Sequence, residues 1–139
     1  MFSRACEYAI KIMIYISANE KERRRTGLKE VTEAIASPEA FTAKILQQLV
    51  KSKLLNSYKG PTGGFELVVG KEIRLLDVVL AIDGSQILDA CVLGLEHCSS
   101  AQPCPVHEQF LLVKEQLKET LLATDIRDNA LRNSTINLK

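Results

Sequence analysis

Apolar side chains recur at helical spacing through the first part of the chain. In residues 2–18 they form one face of an amphipathic helix, which comprises Phe2, Ala5, Ala9, Ile12, Met13 and Ile16. The polar run at residues 19–27 ends this helix and predicts a loop. Leu28, Val31 and Ile35 then have the spacing of a short second helix. The pattern therefore predicts two helices in succession, joined by a charged loop.

A third helix and a hairpin are predicted next. Ser37 and Pro38 favour a helix start, because Ser is common as an N-cap and Pro at the first helical position. The buried face of this helix is predicted to comprise Phe41, Ile45, Leu46 and Leu49. Residues 56–59 and 65–69 predict two strands around the glycine-rich tip at residues 60–64. Three helices followed by a hairpin are typical of a winged helix-turn-helix.

The second part of the chain predicts two further helices separated by a loop. Residues 73–83 have helical periodicity, residues 84–104 are loop-like, and a long helix is predicted from Pro105 to about Thr124. Its apolar positions form a narrow stripe, as in a seam between two helices, namely Val106, Phe110, Val113, Leu117 and Leu121. The polar tail from Asp125 is expected to fray. The expected fold is thus mainly α with a small β-hairpin.

Charge divides the chain at the same place as the predicted elements. Residues 1–75 hold 13 Lys/Arg and 8 Asp/Glu, a balance of +5, whereas residues 76–139 hold 5 and 9, a balance of −4. We therefore predict a winged-helix DNA-binding domain at 1–75, and a linker helix, loop and dimerisation helix at 76–139. The positive part is the one expected to face a polyanion.

Composition excludes several classes of protein. With 46% hydrophobic and 25% charged residues the chain has an ordinary globular composition. No segment is long and apolar enough to span a membrane. Charged residues interrupt the apolar N-terminus, and it lacks a small-residue cleavage site, so we expect no signal peptide and a cytoplasmic location.

The candidate DNA-binding residues lie in the third helix and in the hairpin. Outward polar positions of the helix are expected at Glu39, Thr42, Lys44, Gln47, Gln48 and Lys51. Ser37 at its start and Arg4 in the first helix complete this set. In the hairpin, Tyr58 and Lys59 precede a tip where Gly60, Thr62 and Gly63 permit a tight turn close to another molecule. Lys59 could reach a phosphate or the minor groove, although an ordinary solvent-facing hairpin would have the same pattern.

Three of the four cysteines fall within a short loop. Six residues separate Cys91 from Cys98, five separate Cys98 from Cys104, and His107 follows. Iron–sulfur clusters favour thiolate ligands, with His as an occasional substitute. Cys104 is expected at the N-cap of the last helix, where the helix dipole favours a thiolate. Inert cysteines, a thiol switch and zinc are the alternatives, and zinc is disfavoured because no Cys-x-x-Cys pair is present. The remaining cysteine, in the first helix, is expected to be buried.

The segment LKEVTEAIASPEAFTAKILQQLVKSKLLNSYKGPTGGFELV resembles the winged helix of the Rrf family of transcriptional regulators, which includes IscR-type and NsrR-type iron–sulfur repressors. The resemblance continues through the opening ACEYAIKIMIYIS and the cysteine region, to about residue 125. It implies a homodimer whose long C-terminal helices pair and present two winged helices to a palindromic operator of double-stranded DNA. Lys59 replaces the Arg that is frequent in the family, and Ala43 replaces the Glu of IscR-type proteins. These differences imply a different operator.

The same resemblance implies the ligands of a cluster. The family has cysteines at the positions of Cys91, Cys98 and Cys104, with one residue fewer between the first two. In IscR-type members a histidine matching His107 completes a 2Fe–2S site. In some nitric-oxide-sensing members an acidic residue of the first helix, matching Glu7, completes a 4Fe–4S site from the partner subunit. The sequence leaves both His107 and Glu7 open as the fourth ligand.

These observations lead to three hypotheses of function. The first is a DNA-binding repressor that senses redox, iron–sulfur or nitric-oxide status through a cluster in the cysteine loop. The second is the same DNA-binding dimer controlled without a cluster, by thiol oxidation or by a partner protein that uses the acidic second part. The third is an iron–sulfur carrier or an enzyme, which is disfavoured because no nucleophile–base motif or phosphate-binding loop is present.

Overall fold

The computed structural model describes residues 1–128 and 137–139. Its elements, in chain order, are α1 (Arg4–Asn19), a 3₁₀ turn (Glu20–Glu22), α2 (Leu28–Ile35), α3 (Glu39–Lys51), β1 (Leu55–Tyr58), β2 (Gly64–Leu67), α4 (Leu75–Asp83), α5 (Gln86–Asp89) and α6 (His107–Ala123). The prediction of a mainly helical fold with a winged helix-turn-helix and a long final helix is confirmed. No helix among these described residues is long and apolar enough to cross a membrane.

Helix α1 begins at Arg4 because Ser3 caps it and fastens it to α4. The Ser3 hydroxyl accepts a hydrogen bond from the backbone N–H of Cys6 at 3.0 Å. The backbone N–H of Ser3 donates to Asp83 Oδ2 at 2.9 Å, and the Ser3 hydroxyl donates to the other carboxylate oxygen. An N-cap of this kind satisfies an N–H group that the helix itself leaves unpaired. The start of α1 is thereby held against the end of α4.

A single apolar core joins the three helices of the winged helix to the hairpin. Ile12 and Ile16 of α1 pack with Ile35 of α2 and Leu46 of α3, and each of these side chains is almost completely buried. Burying one such aliphatic side chain contributes about 1.5–3 kcal/mol. The periodicity of the sequence therefore locates the core correctly.

The hairpin is held on both edges of β2. Strands β1 and β2 are antiparallel, with Leu55 opposite Leu67 and Tyr58 opposite Gly64. On the other edge, Thr26 and Phe65 exchange two backbone hydrogen bonds of 3.0 and 2.9 Å. The loop that follows α1 is thereby fixed beside the wing.

Two predicted helix starts are wrong. Helix α3 begins at Glu39 and Pro38 is its flanking residue, so Ser37 is not the N-cap. The Ser37 side chain is buried instead, and its hydroxyl hydrogen-bonds to the hydroxyl of Thr42. Helix α6 begins at His107. A turn precedes the helix, and in this turn the His107 N–H donates a hydrogen bond to the Cys104 carbonyl. Cys104 therefore lies outside the N-cap position. The short helix α5, within the predicted loop, is a further difference.

The apolar stripe of α6 is divided between two environments. Leu121 is buried in a second cluster with Cys6, Leu76 and Val79, and Leu117 packs against it. Side chains nearer the start of α6 are exposed, including Phe110, Leu111, Leu112 and Val113. The stripe is therefore not a continuous seam, since its C-terminal end already packs on this chain.

The chain returns to the winged helix after α6. The Ile126 side chain is fully buried in the main core, and its N–H donates to the Ile73 carbonyl at 3.0 Å. Arg127 pairs with Glu20 at 3.1 Å and also donates to the Val68 carbonyl. The prediction that the chain frays from Asp125 is wrong for residues 125–128, because Ile126 and Arg127 fasten them. Further along that predicted tail, Leu138 packs against the same core, and residues 129–136 lie outside the described residues.

Candidate metal centre and nucleic-acid interface

The loop between α5 and α6 brings the three predicted cysteines together. The sulfur atoms of Cys91, Cys98 and Cys104 all lie within 4.8 Å of one another. The sulfurs of Cys91 and Cys104 are 3.8 Å apart, and Cys98 Sγ is 3.2 Å from His107 Nδ1. Three thiols thus surround one point, and an imidazole nitrogen contacts one of them. Thiolates with an occasional imidazole are the donors that iron–sulfur clusters use.

Tight backbone turns place N–H groups against these sulfurs. After Cys91 the chain turns at Gly94, which has a φ of 70°, and the Gly94 N–H donates to the Cys91 carbonyl at 2.9 Å. The Cys104 N–H donates to Cys98 Sγ at 3.4 Å. Such N–H···S contacts stabilise thiolates, and around a cluster they tune its potential.

The environments of Cys91 and Cys98 shift their pKa values in opposite directions. Hydrogen bonds from the backbone N–H groups of Leu95 and Leu93 lower the pKa of Cys91 to about 7, against the opposing effect of desolvation. For Cys98, the Cys104 N–H lowers the pKa, but desolvation and the neighbouring thiols outweigh it, so the pKa is raised. A first thiolate is therefore readily formed, whereas a second one beside it is resisted. A bound cation would remove that repulsion.

His107 has a ring nitrogen available for a ligand. Its Nε2 atom is buried, and it has no hydrogen-bond partner among the residues that the structure describes. An unpaired buried polar atom is costly, typically about 1–3 kcal/mol. The cysteines and His107 also line one cavity with Phe110 and Lys114. The residues present therefore fit a metal or cluster.

The other two candidates from the first helix lie apart from this group. Glu7 is exposed on α1 and does not belong to the cysteine group within residues 1–128 and 137–139 of one chain. Cys6 is fully buried, as expected, and burial together with the nearby Asp83 carboxylate raises its pKa to about 12. Cys6 is thus a packing residue with an unreactive thiol.

Helix α3 offers a smaller polar face than the sequence predicts. The expected outward orientation of Thr42 is wrong, because its side chain is fully buried and its hydroxyl donates to the Pro38 carbonyl at 2.8 Å. The Gln48 amide donates to the Ala81 carbonyl of α4 at 3.3 Å, so it is engaged within the chain. The exposed polar side chains of α3 that remain are Glu39, Lys44, Gln47 and Lys51.

Arg4 of α1 is linked to the start of α3 by the aromatic ring of Tyr8. Its guanidinium is 5.3 Å from the centre of the Tyr8 ring, and the Lys11 ammonium is 5.6 Å from the same ring. Tyr8 in turn packs edge-on against Phe41 of α3, with ring centres 5.7 Å apart. Two cations of α1 thereby stand beside the helix predicted to read DNA.

The wing tip requires glycine at its closest turn. A Cβ atom at Gly63 would lie 2.3 Å from the Tyr58 carbonyl oxygen and 2.9 Å from that of Gly60. Gly60 adopts a φ of 95°, which favours glycine. Lys59, Gly60 and Thr62 are exposed, as the sequence predicts. The tip is a compact, exposed turn that carries a lysine.

Sequence reasoning missed the arginine loop, residues 23–25. The Arg25 guanidinium lies 3.5 Å from the centre of the Tyr58 ring and donates to the Thr62 carbonyl at 3.4 Å. It also pairs with Glu66 of β2 at 3.6 Å. The run of three arginines was the available signal, but only the pairing of Thr26 with Phe65 brings it to the wing.

Comparison with known proteins decides the family. The model of the Rrf2 family, described as iron-dependent transcriptional regulators, matches residues 2–130. The chain belongs to the Rrf2 family. This confirms the resemblance seen in the sequence, and it makes the protein a DNA-binding transcriptional regulator rather than an enzyme.

Rrf2 relatives match over most of the chain. A protein of Aquifex aeolicus, named as an HTH-type transcriptional regulator, is 28% identical over 131 residues, 92% of this chain and 90% of its own length. The HTH-type regulator IscR of Photorhabdus laumondii is 27% identical over 103 residues, 72% of this chain and 60% of its own. The structure of CymR, the global cysteine regulator of B. subtilis, matches this chain with a TM-score of 0.78 and 25% sequence identity. The match covers 96% of this chain and 98% of the CymR chain. The Rrf2 fold is therefore shared along nearly the whole chain.

Proposed function

We propose that this Rrf2 regulator is a homodimeric repressor that binds an iron–sulfur cluster through Cys91, Cys98 and Cys104. The observation that carries the proposal is the meeting of three thiols within 4.8 Å, with an imidazole nitrogen 3.2 Å from one of them. The family description as iron-dependent and the similarity to IscR support it. A bound cluster would supply a charge that changes with oxidation, nitric oxide or cluster loss.

His107 is the fourth ligand that this geometry favours. One of its ring nitrogens, Nδ1, already contacts Cys98 Sγ. The other, Nε2, is buried and has no hydrogen-bond partner among the described residues. Glu7 lies elsewhere on the same chain and could contribute only from a partner subunit. His107 as the ligand corresponds to a 2Fe–2S cluster, and Glu7 to a 4Fe–4S cluster.

A second copy of the chain is the proposed cover for α6. Phe110 and Val113, which lie on one face of α6, are exposed although they are large and apolar, with 38% and 59% of their surface accessible. Exposed apolar patches of this kind mark interaction surfaces. Pairing α6 with its counterpart would bury them and present two winged helices to one operator.

The proposed DNA contacts lie on α3, the wing and α1. Lys44 and Glu39 of α3 would face the major groove, Arg4 would contact the backbone nearby, and Lys59 with Gly60 and Thr62 would approach the minor groove. Buried Ser37 and Thr42 would act only by fixing the start of α3. Such a repressor works where the chromosome is, so we propose a cytoplasmic protein.

Packing suggests how the cysteine loop acts on the DNA-binding surface. Helix α6, which carries His107, packs through Leu117 and Leu121 on the cluster that contains Cys6 of α1. Helix α1 then contacts α3 through Tyr8 and Phe41. A change in how the loop holds α6 would alter the placement of α1 and α3.

Anaerobic purification tests the cluster. We expect visible absorbance, iron and acid-labile sulfide, with an electron-spin-resonance signal on reduction that identifies the cluster type. Cys98→Ala should abolish all of these, whereas Cys6→Ala is the matched control that should retain them. Loss in His107→Ala but not in Glu7→Gln supports His107 as the fourth ligand. Protein without iron or sulfide would refute the cluster proposal.

A thiol switch is the second candidate function. The sulfurs of Cys91 and Cys104 are 3.8 Å apart, and the pKa of Cys91 is about 7, so a reactive thiolate faces a second thiol. A peroxide would take two electrons and oxidise this pair to a disulfide, with water as product. Operator affinity that changes on oxidation of the metal-free protein, and not in Cys104→Ala, would favour this switch over the cluster.

A further inference from the structure

We propose that the arginine loop, residues 23–25, and the wing tip form a phosphate-binding cleft in which Arg23 binds the DNA backbone. The inference extends the proposed function, because it adds a contact to the DNA surface of α3 and the wing. The cleft is lined by the three arginines, Pro61, Thr62 and Glu66. Guanidinium groups suit phosphate because their planar fork donates two parallel hydrogen bonds.

The position of the cleft follows from the backbone. Thr26 pairs with Phe65 as an added edge beside β2, so the loop before it runs next to the wing tip. Arg25 strengthens this attachment through the Tyr58 ring and the Thr62 carbonyl. Because the arginine loop is fixed beside the wing tip, DNA that contacts the tip also lies close to the arginine loop.

Charge pairing leaves Arg23 available. Arg24 is engaged by Glu22 at 2.7 Å and Glu30 at 2.6 Å, and Arg25 by Glu66 at 3.6 Å. Within residues 1–128 and 137–139, no carboxylate pairs with Arg23 or with Lys59. The uncompensated positive charge beside the tip therefore belongs to these two residues.

The backbone holds Arg23 in a fixed position. It ends the 3₁₀ turn in the left-handed conformation, with a φ of 52°, and its N–H donates to the Glu20 carbonyl at 2.9 Å. Glu20 itself is paired with Arg127, which fastens this turn to the core. A cation on a fixed turn loses little backbone entropy on binding.

Salt dependence of DNA affinity tests the proposal. The full-length protein first selects a duplex from a random-sequence library, and the affinity of variants for that duplex is measured from 50 to 200 mM salt. Arg23→Gly suits the left-handed backbone, so the variant should fold. Loss of one phosphate contact reduces the slope of log K against log salt by about 0.9 for each subunit bound. We expect affinity to fall roughly tenfold, and by a similar factor for a scrambled duplex, because phosphate contacts carry no sequence information.

Lys21→Ala is the matched control. It removes one positive charge from the same exposed turn, but Lys21 does not line the cleft. We expect the Lys21→Ala slope to remain close to the wild-type slope, and Arg23→Lys to retain most of it. Equal slopes for wild type and Arg23→Gly would overturn the proposal, as would equal losses for Arg23→Gly and Lys21→Ala. A wild-type protein that selects no duplex would instead contradict the DNA-binding function itself.

Discussion

The winged helix and the cysteine loop are stabilised in different ways. Residues 1–79 supply buried side chains to both hydrophobic clusters, and Ile12, Leu46 and Ile73 of the main cluster are almost completely buried. From residue 80 to residue 120, a segment that the structure describes throughout, no residue is buried. One region therefore carries its own hydrophobic stabilisation and the other does not.

The two regions therefore depend on different interactions for their order. The cysteine loop is held by local hydrogen bonds, such as those from Gly94 to Cys91 and from Cys104 to Cys98. Net contributions of such bonds are about 0.5–1.5 kcal/mol each, less than a buried aliphatic side chain provides. We expect a region built in this way to respond to what it binds, and we expect the winged helix to move with α6 as a unit that keeps its own shape. This is a suitable division for a sensor joined to a DNA-binding surface.

The largest expected contrast is in thiol reactivity. In metal-free, folded protein at pH 7 we expect iodoacetamide to label Cys91 and to leave Cys6 unlabelled. The thiolate is the nucleophile. With a pKa of about 7, Cys91 is roughly half ionised, whereas a pKa of about 12 leaves Cys6 about a hundred-thousandth ionised. Mass spectrometry of digested protein measures the label at each cysteine.

The pH dependence distinguishes acidity from mere exposure. The labelling rate at Cys91 should rise as pH increases through about 7 and then level off, because ionisation is then complete. Unfolded protein is the control, since Cys6 should then react as an ordinary thiol. Rapid labelling of Cys6 in the folded protein would contradict the contrast between the two regions.

The sequence predicted the winged helix well because its signals are local and periodic. The spacing of Ile12, Ile45 and Leu49 identified helices and their buried faces, and the glycines near Lys59 identified the wing. Contacts between distant residues could not be predicted in this way. The hydroxyl pair of Ser37 and Thr42 turned both side chains inward, and the arginine loop reached the wing only through the folded topology.

The candidate metal site was predicted in composition but not in geometry. Cysteine spacing and a following histidine identified Cys91, Cys98, Cys104 and His107. The turn before α6 removed Cys104 from the N-cap, and the sequence had no signal for the N–H groups that the turn after Cys91 directs at its sulfur. Irregular loops lack the periodicity on which such predictions depend.

Paired leucine substitutions measure the stability of the two regions directly. Leu46→Ala should lower the free energy of unfolding by about 2–5 kcal/mol, because it leaves a cavity in the core. Leu95→Ala should change it by less than about 0.5 kcal/mol, since 52% of this side chain is exposed. Urea unfolding of metal-free, reduced protein makes the comparison. Similar losses in the two variants would show that the cysteine loop belongs to the cooperative core.

A smaller effect is expected at the wing tip. Gly63→Ala should weaken operator binding by about tenfold, or roughly 1.4 kcal/mol. The new Cβ would meet the Tyr58 carbonyl oxygen at 2.3 Å, so the tip must shift. Gly27→Ala is the matched control, because nothing lies within 4 Å of a Cβ there and its φ is −79°. Fluorescence anisotropy with the selected duplex measures the affinity. Equal affinities for the two variants would show that the wing tip does not contact the DNA.

The smallest effect should be confined to the cysteine loop. The Lys114 ammonium of α6 donates to the Ala90 carbonyl, directly before Cys91, and the side chain lines the same cavity as the cysteines. Removing one such hydrogen bond costs about 0.5–1.5 kcal/mol locally. In metal-free protein, Lys114→Ala should therefore speed amide hydrogen exchange around Cys91 severalfold and leave α1 and α3 unchanged, since local opening need not involve the core. The exposed Lys118 of the same helix provides the control, Lys118→Ala, which should leave exchange unchanged throughout. Faster exchange that extended into α1 and α3 would show that the two regions open as one unit.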